Sequence, residues 1–306
     1  MRSDLGEQIP GTYPERLTRA GAYLAEMLES YGLPVISPFE LFELIRLMYE
    51  GSAGKALYLR EESPTAETVS SLRTNLRKSG LLLPDRDYKG RMLRIVSNPD
   101  LPADDIVCLA DPTCYISHLS ALQRWGLTER TSNSLIVTRP DRVQAIDQLN
   151  AIMRERLGQA KRTPCPLKYI THPEKVRRRS VTVFETKLAG ASIAVRGEHA
   201  KISAIGQTFL DTLQKPDLCG GMSHVLDIWE EHAETYFEQI IAAIDRSPVA
   251  LAKSRAGYIL EERLGKKHPL IDGWKKFGQR GSSRKLDPAA PFSPQFSETW
   301  MLSLNV

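Results

Sequence analysis

The stretch SPTAETVSSLRTNLRKSGLLLPDRDYKGRMLRIV, residues 63–96, decides the reading of the N-terminal third of the chain. Ser63-Pro64 announces a helix and Gly80 stops it, which predicts a helix from Thr65 to Ser79. Val69, Leu72 and Leu76 recur at three- and four-residue spacing and form its apolar stripe. Ser70, Arg73, Thr74 and Arg77 share another face, and each of these side chains can hydrogen-bond a phosphate or a base edge. Leu81-Leu82-Leu83, a polar turn Pro84 to Gly90, and Arg91 to Val96 then read as strand, turn, strand.

Two helices are expected upstream. Leu17, Ala20, Leu24, Met27, Leu28 and Tyr31 mark one helix face, closed by Gly32. Ser37-Pro38-Phe39-Glu40 forms a capping box with Pro at the first helical position, so a second helix runs from Pro38 to Glu50 and ends at Gly51. Three helices followed by a β-hairpin is the winged helix-turn-helix layout, whose third helix enters the major groove of double-stranded DNA.

Charge is sorted along this region. Residues 70–97 hold seven Lys/Arg against two acids, a net of +5, whereas residues 37–69 carry a net of −3. The expected DNA-contacting residues are Ser70, Arg73, Thr74, Arg77 and Lys78 on the helix, with Arg86, Lys89 and Arg91 on the wing. Paired arginines one turn apart suit bidentate contacts to guanine or phosphate. The competing reading is a winged helix used for protein contacts, its cations a solvated face.

The 306 residues, 42% hydrophobic, suffice for two domains. The expected division is an N-terminal tail 1–14, a winged-helix domain 15–97, a proline-marked linker 98–104 and a second domain 105–306. Met1 to Pro14 contains no apolar leader core, and no apolar run approaches the roughly 20 residues a membrane span needs, so a cytoplasmic protein without a membrane partner is expected. Cys108, Cys114, Cys165 and Cys219 form no CxxC pair and have no His at zinc-ligand spacing, so they are expected as free, mostly buried thiols, with no metal and no cofactor.

The second domain is expected as mixed α/β (α+β) with a helical second half. Ile106 to Ala110 reads as a strand, Asp111-Pro112 to Gly126 as a helix, Leu135 to Thr138 as a strand and Pro140 to Gly158 as a long helix. Strand-like runs follow at Leu167 to Thr171, Ser180 to Glu185 and Ala191 to Arg196, then helix from Gln207 to Leu264, and a closing strand in Thr299 to Val306.

Tyr115-Ile116-Ser117-His118-Leu119-Ser120-Ala121-Leu122, Trp125-Gly126-Leu127-Thr128 and Val137-Thr138 resemble the start of the C-terminal domain of AbiEi antitoxins. Thr208-Phe209-Leu210-Asp211, Gly220-Gly221, Arg255-Ala256-Gly257-Tyr258-Ile259-Leu260-Glu261, Leu286-Asp287-Pro288 and Trp300 to Asn305 follow in the order of that family. The stretch Gly51 to Glu62 is longer than its layout. The resemblance implies a transcriptional repressor and antitoxin of an abortive-infection, phage-defence operon. Such a protein binds operator inverted repeats in its own promoter, as a monomer or weak dimer with two copies per operator, and counteracts a nucleotidyltransferase-like toxin encoded beside it.

Catalytic readings are weaker. Glu185-Thr186-Lys187 matches half of a nuclease metal site, but the nearest upstream acids of note, Asp147 and Glu155, lie on a helix, and alternating exposed charges on a strand explain the triplet. His118 beside Ser117 and Ser120 suggests a nucleophile-base pair, yet helical spacing would point Ser117 and His118 apart, so a satisfied, partly buried His is expected. Gly220-Gly221 reads as a tight loop. No enzymatic activity is expected; a metal-dependent nuclease and a ligand-responsive regulator stand as alternatives. Lys175 with Arg177, Arg178 and Arg179 is the densest basic cluster, read as a strand entrance with a secondary DNA role.

Overall fold

The computed structural model describes residues 17–50, 59, 63–158, 163–279 and 284–306; the expected tail 1–14 and the helix stop at Gly51 lie outside them. The chain is mixed α/β and divides into two units, one of Met1–Pro102 with Ile146–Thr171, the other of Ala103–Ala145 with His172–Val306.

In the first unit, α1 (Arg19–Tyr31) starts at Thr18, whose hydroxyl accepts from Gly21 N, and ends on Gly32 in the left-handed region. Strand β1 (Val35–Ile36) was hidden in the sequence by its length. Helix α2 (Pro38–Glu50) opens on the expected capping box: Glu40 N donates to Ser37 Oγ at 3.1 Å and Ser37 N to Glu40 Oε2 at 2.9 Å. Helix α3 (Ala66–Lys78) is capped by Thr65, and strands β2 (Leu82–Asp85) and β3 (Lys89–Ile95) follow. They form a sheet in the order β1-β3-β2, antiparallel throughout.

Leu24 and Leu28 of α1, Phe39, Phe42 and Ile45 of α2, Val69, Leu72 and Leu76 of α3, and Leu82, Leu93 and Ile95 of the sheet bury one core. Gly21 permits the close approach of α1 and α3: a Cβ there would meet Asn75 Oδ1 at 2.5 Å. Helix α6 (Arg142–Leu157) contributes Leu157 to this core, with Met153, Cys165 and Leu167 packed against it. The expected continuous second domain 105–306 differs from the division by contacts, which groups Ile146–Thr171 with the N-terminal elements, where Leu157 is buried in their core. The expected linker 98–104 is also shorter. Asn98 is buried and donates to Leu28 O and Leu33 O at 3.0 and 2.9 Å, and Ala103 already begins a helix.

That helix, α4 (Ala103–Ala110), occupies the expected strand Ile106 to Ala110. Almost every side of it is buried, so its apolar residues run together without a helical period and read as a strand. The expected helix opening at Asp111 is also corrected: Tyr115 and Ile116 form β4 (Tyr115–Ile116), and only α5 (His118–Arg124) is helical. Backbone pairing with β5 (Ser134–Pro140) on one side and β9 (Lys201–Ser203) on the other prevails over helical propensity.

With β6 (Lys175–Val176), β7 (Arg179–Thr186) and β8 (Ser192–Ala194) these strands make a six-stranded mixed sheet, ordered β6-β7-β5-β4-β9-β8. β5 and β7 run parallel over seven residue pairs, Ser134↔Ser180 to Pro140↔Thr186. Leu167 to Thr171, expected as a strand, joins no ladder.

The expected helical half resolves into α7 (Ile205–Gln214), a 3-10 turn Pro216–Cys219, α8 (Met222–His232), α9 (Phe237–Arg246) and α10 (Ala250–Gly257), the last continuing into a π-helical turn Tyr258–Arg263. A short α11 (Pro269–Trp274) and the pair β10 (Phe296–Ser297) and β11 (Leu302–Ser303) complete it. Only Leu302–Ser303 of the expected closing strand pairs. Gly220 and Gly221, with φ of +89° and +92°, make the expected tight loop.

Several residues of the later quoted motifs act in this half as structural parts. Trp300 occupies the space above Gly257, where a Cβ would come within 2.1 Å of its ring, and its Nε1 donates to Glu261 Oε2 at 3.1 Å. Arg255 is buried and donates to the carbonyls of Leu213 and Lys285 at 2.6 and 2.9 Å. Asn305 Nδ2 donates to Asp287 O at 2.9 Å.

Candidate nucleic-acid interface

The face of α3 opposite its buried stripe carries Ser70, Thr74, Arg77 and Lys78, all exposed, as the period of 3.6 residues requires when Val69, Leu72 and Leu76 point inward. Arg77 and Lys78 also lie in the last turn, where cations complement the helix dipole. Arg73 differs from these four in being half-buried, and lies with Lys168 close enough to Cys165 to oppose the rise that burial gives its thiol pKa. Only tertiary packing brings Cys165 near Arg73.

The hairpin is built around an acid. Asp85 is buried, and its Oδ1 accepts from Asp87 N and Tyr88 N, both at 3.0 Å, which ties the turn to the end of β2. The β2–β3 register shifts at Pro84/Asp85, and Lys89 sits at φ +53°. Lys89 and Arg91 project as exposed cations. Arg86 is exposed too, but Asp100 lies 3.2 Å and Asp87 3.8 Å from its guanidinium, so its charge is already partly answered. Arg94, one of the seven cations in the charge count, donates to the carbonyls of Pro34, Ile95 and Asn98 at 2.9, 2.6 and 2.6 Å and is a backbone clamp.

The basic cluster of the second unit is a tight hairpin. Arg177 and Arg178 connect β6 to β7 with φ of +48° and +67°, a turn usually given to Asn and Gly. Lys175 and Arg178 are exposed, whereas Arg179 pairs with Asp104 at 2.6 Å, a carboxylate shared with Arg124 at 2.7 Å. Arg179 therefore has an acidic partner within the fold.

The catalytic candidates are placed differently from the expectation. Ser117 Oγ and His118 Nδ1 are 2.8 Å apart. The two are not on successive helical positions: Ser117 is the extended cap (φ −145°, ψ 178°) and His118 sits at φ +51°, which swings its ring back onto the hydroxyl. Both are buried, with 0% and 1% exposure, so no substrate reaches the pair as it stands. Burial lowers the His118 pKa to about 4, so the ring is neutral and packs edge-on against Phe184, while Thr138 Oγ1 donates to Ser117 Oγ at 2.7 Å. Ser120 turns elsewhere, its Oγ accepting from Ile136 N at 2.9 Å.

Glu185 accepts from Nε and Nη2 of the buried Arg139, whose Nη1 donates to Asp111 at 3.3 Å. A guanidinium therefore bridges the two carboxylates, where a nuclease would hold its metal.

Among the described residues no helix is long and apolar enough to cross a membrane. The chain matches no known family profile and no curated protein. Among solved structures it is similar to the crystal structure of the RV2827C protein from Mycobacterium tuberculosis, with 13% sequence identity and a TM-score of 0.46 over 96% of this chain and 94% of that one.

Proposed function

We propose that this protein is a DNA-binding repressor whose first unit acts as a winged helix-turn-helix, α3 lying in the major groove and the β2–β3 hairpin on the flanking backbone. One observation carries the reading: an exposed polar and cationic row on α3, Ser70, Thr74, Arg77 and Lys78, followed by the exposed wing cations Lys89 and Arg91. Phosphates supply the affinity through Arg77, Lys78, Lys89 and Arg91, and the Arg77 guanidinium can in addition read a base edge.

The resemblance to AbiEi antitoxins extends the proposal. It makes the operator an inverted repeat upstream of the protein's own gene, bound by two copies, and gives the second unit the task of counteracting a nucleotidyltransferase-like toxin. No catalytic step is assigned. The buried Ser117–His118 pair and the Arg139-bridged carboxylates favour structural roles for these residues.

A gel-shift titration with the upstream region tests the proposal. Specific retention over a scrambled duplex, weakened by added salt, is expected. Equal retention of both duplexes, or none by either, overturns it.

A further inference from the structure

Asp111 directly follows α4, Cys114 precedes β4, and His172 lies far downstream, yet one ligand atom from each lies within 4.8 Å of the other two. His172 Nε2 is 3.3 Å from Asp111 Oδ2. Ligand atoms around a tetrahedral ion with bonds of about 2.0–2.3 Å stand about 3.3–3.8 Å apart, so this edge already has tetrahedral length. The Cys114 and His172 side chains are 0% exposed and that of Asp111 is 5%.

The surroundings support these donors. Asp111 Oδ1 accepts from Thr113 N at 2.9 Å and Thr113 Oγ1 at 2.6 Å, which fixes the carboxylate while Oδ2 faces the imidazole. The Cys114 thiol donates to Val107 O at 3.7 Å, and the nearby Cys108 sulfur on α4 accepts the backbone N–H of Lys201 at 3.4 Å.

We infer that Asp111, Cys114 and His172 form a buried site for one thiophilic divalent cation of the zinc class. Thiolate, imidazole and carboxylate together suit zinc, whereas calcium and magnesium require oxygen shells. Loading releases the Cys114 thiol proton to solvent, and the resulting thiolate and the Asp111 carboxylate balance the ion's two positive charges. Arg139 shares Asp111 Oδ2 at 3.3 Å; on loading it rests on Glu185, which already accepts two of its donors. The site has no oxidation or reduction step.

The test uses the full-length, untagged protein purified under reducing conditions without chelators. Elemental analysis is expected to find one zinc per chain. Cobalt(II) added to metal-stripped protein is expected to give thiolate-to-cobalt charge-transfer absorption and the intense visible bands of a tetrahedral ion. Cys114→Ser and His172→Gln lose both signals, and Cys165→Ser, outside the cluster, keeps both. The cobalt titration of the unmodified protein decides the matter even where a variant fails to fold. Substoichiometric zinc with octahedral-type cobalt spectra overturns the site, as do cobalt bands that survive Cys114→Ser. A metal-free protein with a Cys108–Cys114 disulfide overturns it equally.

Discussion

Replacing Lys89 by Ala removes one exposed cation from the hairpin and leaves the Asp85-organised turn in place. Arg77, Lys78, Lys89 and Arg91 are exposed, Arg86 is exposed but pairs with Asp100, and Arg94 donates to backbone carbonyls. About four phosphate contacts per molecule give a slope of log affinity against log salt of about −3.6, which between about 50 and 200 mM salt is a loss of about 150-fold. Lys89→Ala reduces the slope to about −2.7 and the loss to about 40-fold, equally on operator and scrambled duplexes. Arg86→Ala, whose charge already faces two acids, leaves the slope nearly unchanged. Fluorescence anisotropy with a half-site duplex at four or more salt concentrations reads both variants. A slope that falls for Arg86→Ala and stays for Lys89→Ala refutes the assignment of cations.

Three further outcomes follow from packing and protonation. Gly257→Ala drives a methyl into the Trp300 ring and is expected to destabilise the second unit by about 1–3 kcal/mol, measured by urea unfolding, while DNA binding through the first unit keeps its salt slope. Asp211 is buried, with Oδ2 unpartnered, and burial raises its pKa from 3.8 to about 7. Because the folded-state pKa lies above the unfolded one, its contribution is fully present below pH 3.8 and is lost as pH rises through about 7. Asp211→Asn should remove that part of the fall in stability, seen as a smaller drop in melting temperature between acidic and mildly alkaline buffer; an unchanged drop refutes it. Asp85→Ala strips the turn of two hydrogen bonds and should cost about 1–3 kcal/mol and loosen the β2–β3 hairpin, read as faster hydrogen exchange at Asp87 and Tyr88.

Local chemistry alone fixed the three N-terminal helices and the hairpin that follows them. The capping box at Ser37 and Glu40, the stripe of Val69, Leu72 and Leu76, and the glycine stops act over one or two turns of chain, so they are legible wherever the chain is read. The exposed cationic row on α3 was legible for the same reason, since burying one stripe of a helix dictates what the opposite face presents. What lay beyond the sequence was every outcome set by a distant partner. α4 looked like a strand because it is buried on nearly all sides, and Tyr115–Ile116 became a strand because β5 and β9 offered backbone groups to pair with. Arg86 and Arg179 read as open cations until Asp100 and Asp104 were found beside them. His172 and Cys114 carry no common motif, yet their ligand atoms converge with that of Asp111. Sequence determines what each segment prefers within a few residues; burial, ladder pairing and charge partnership are long-range, and only the folded chain decides them.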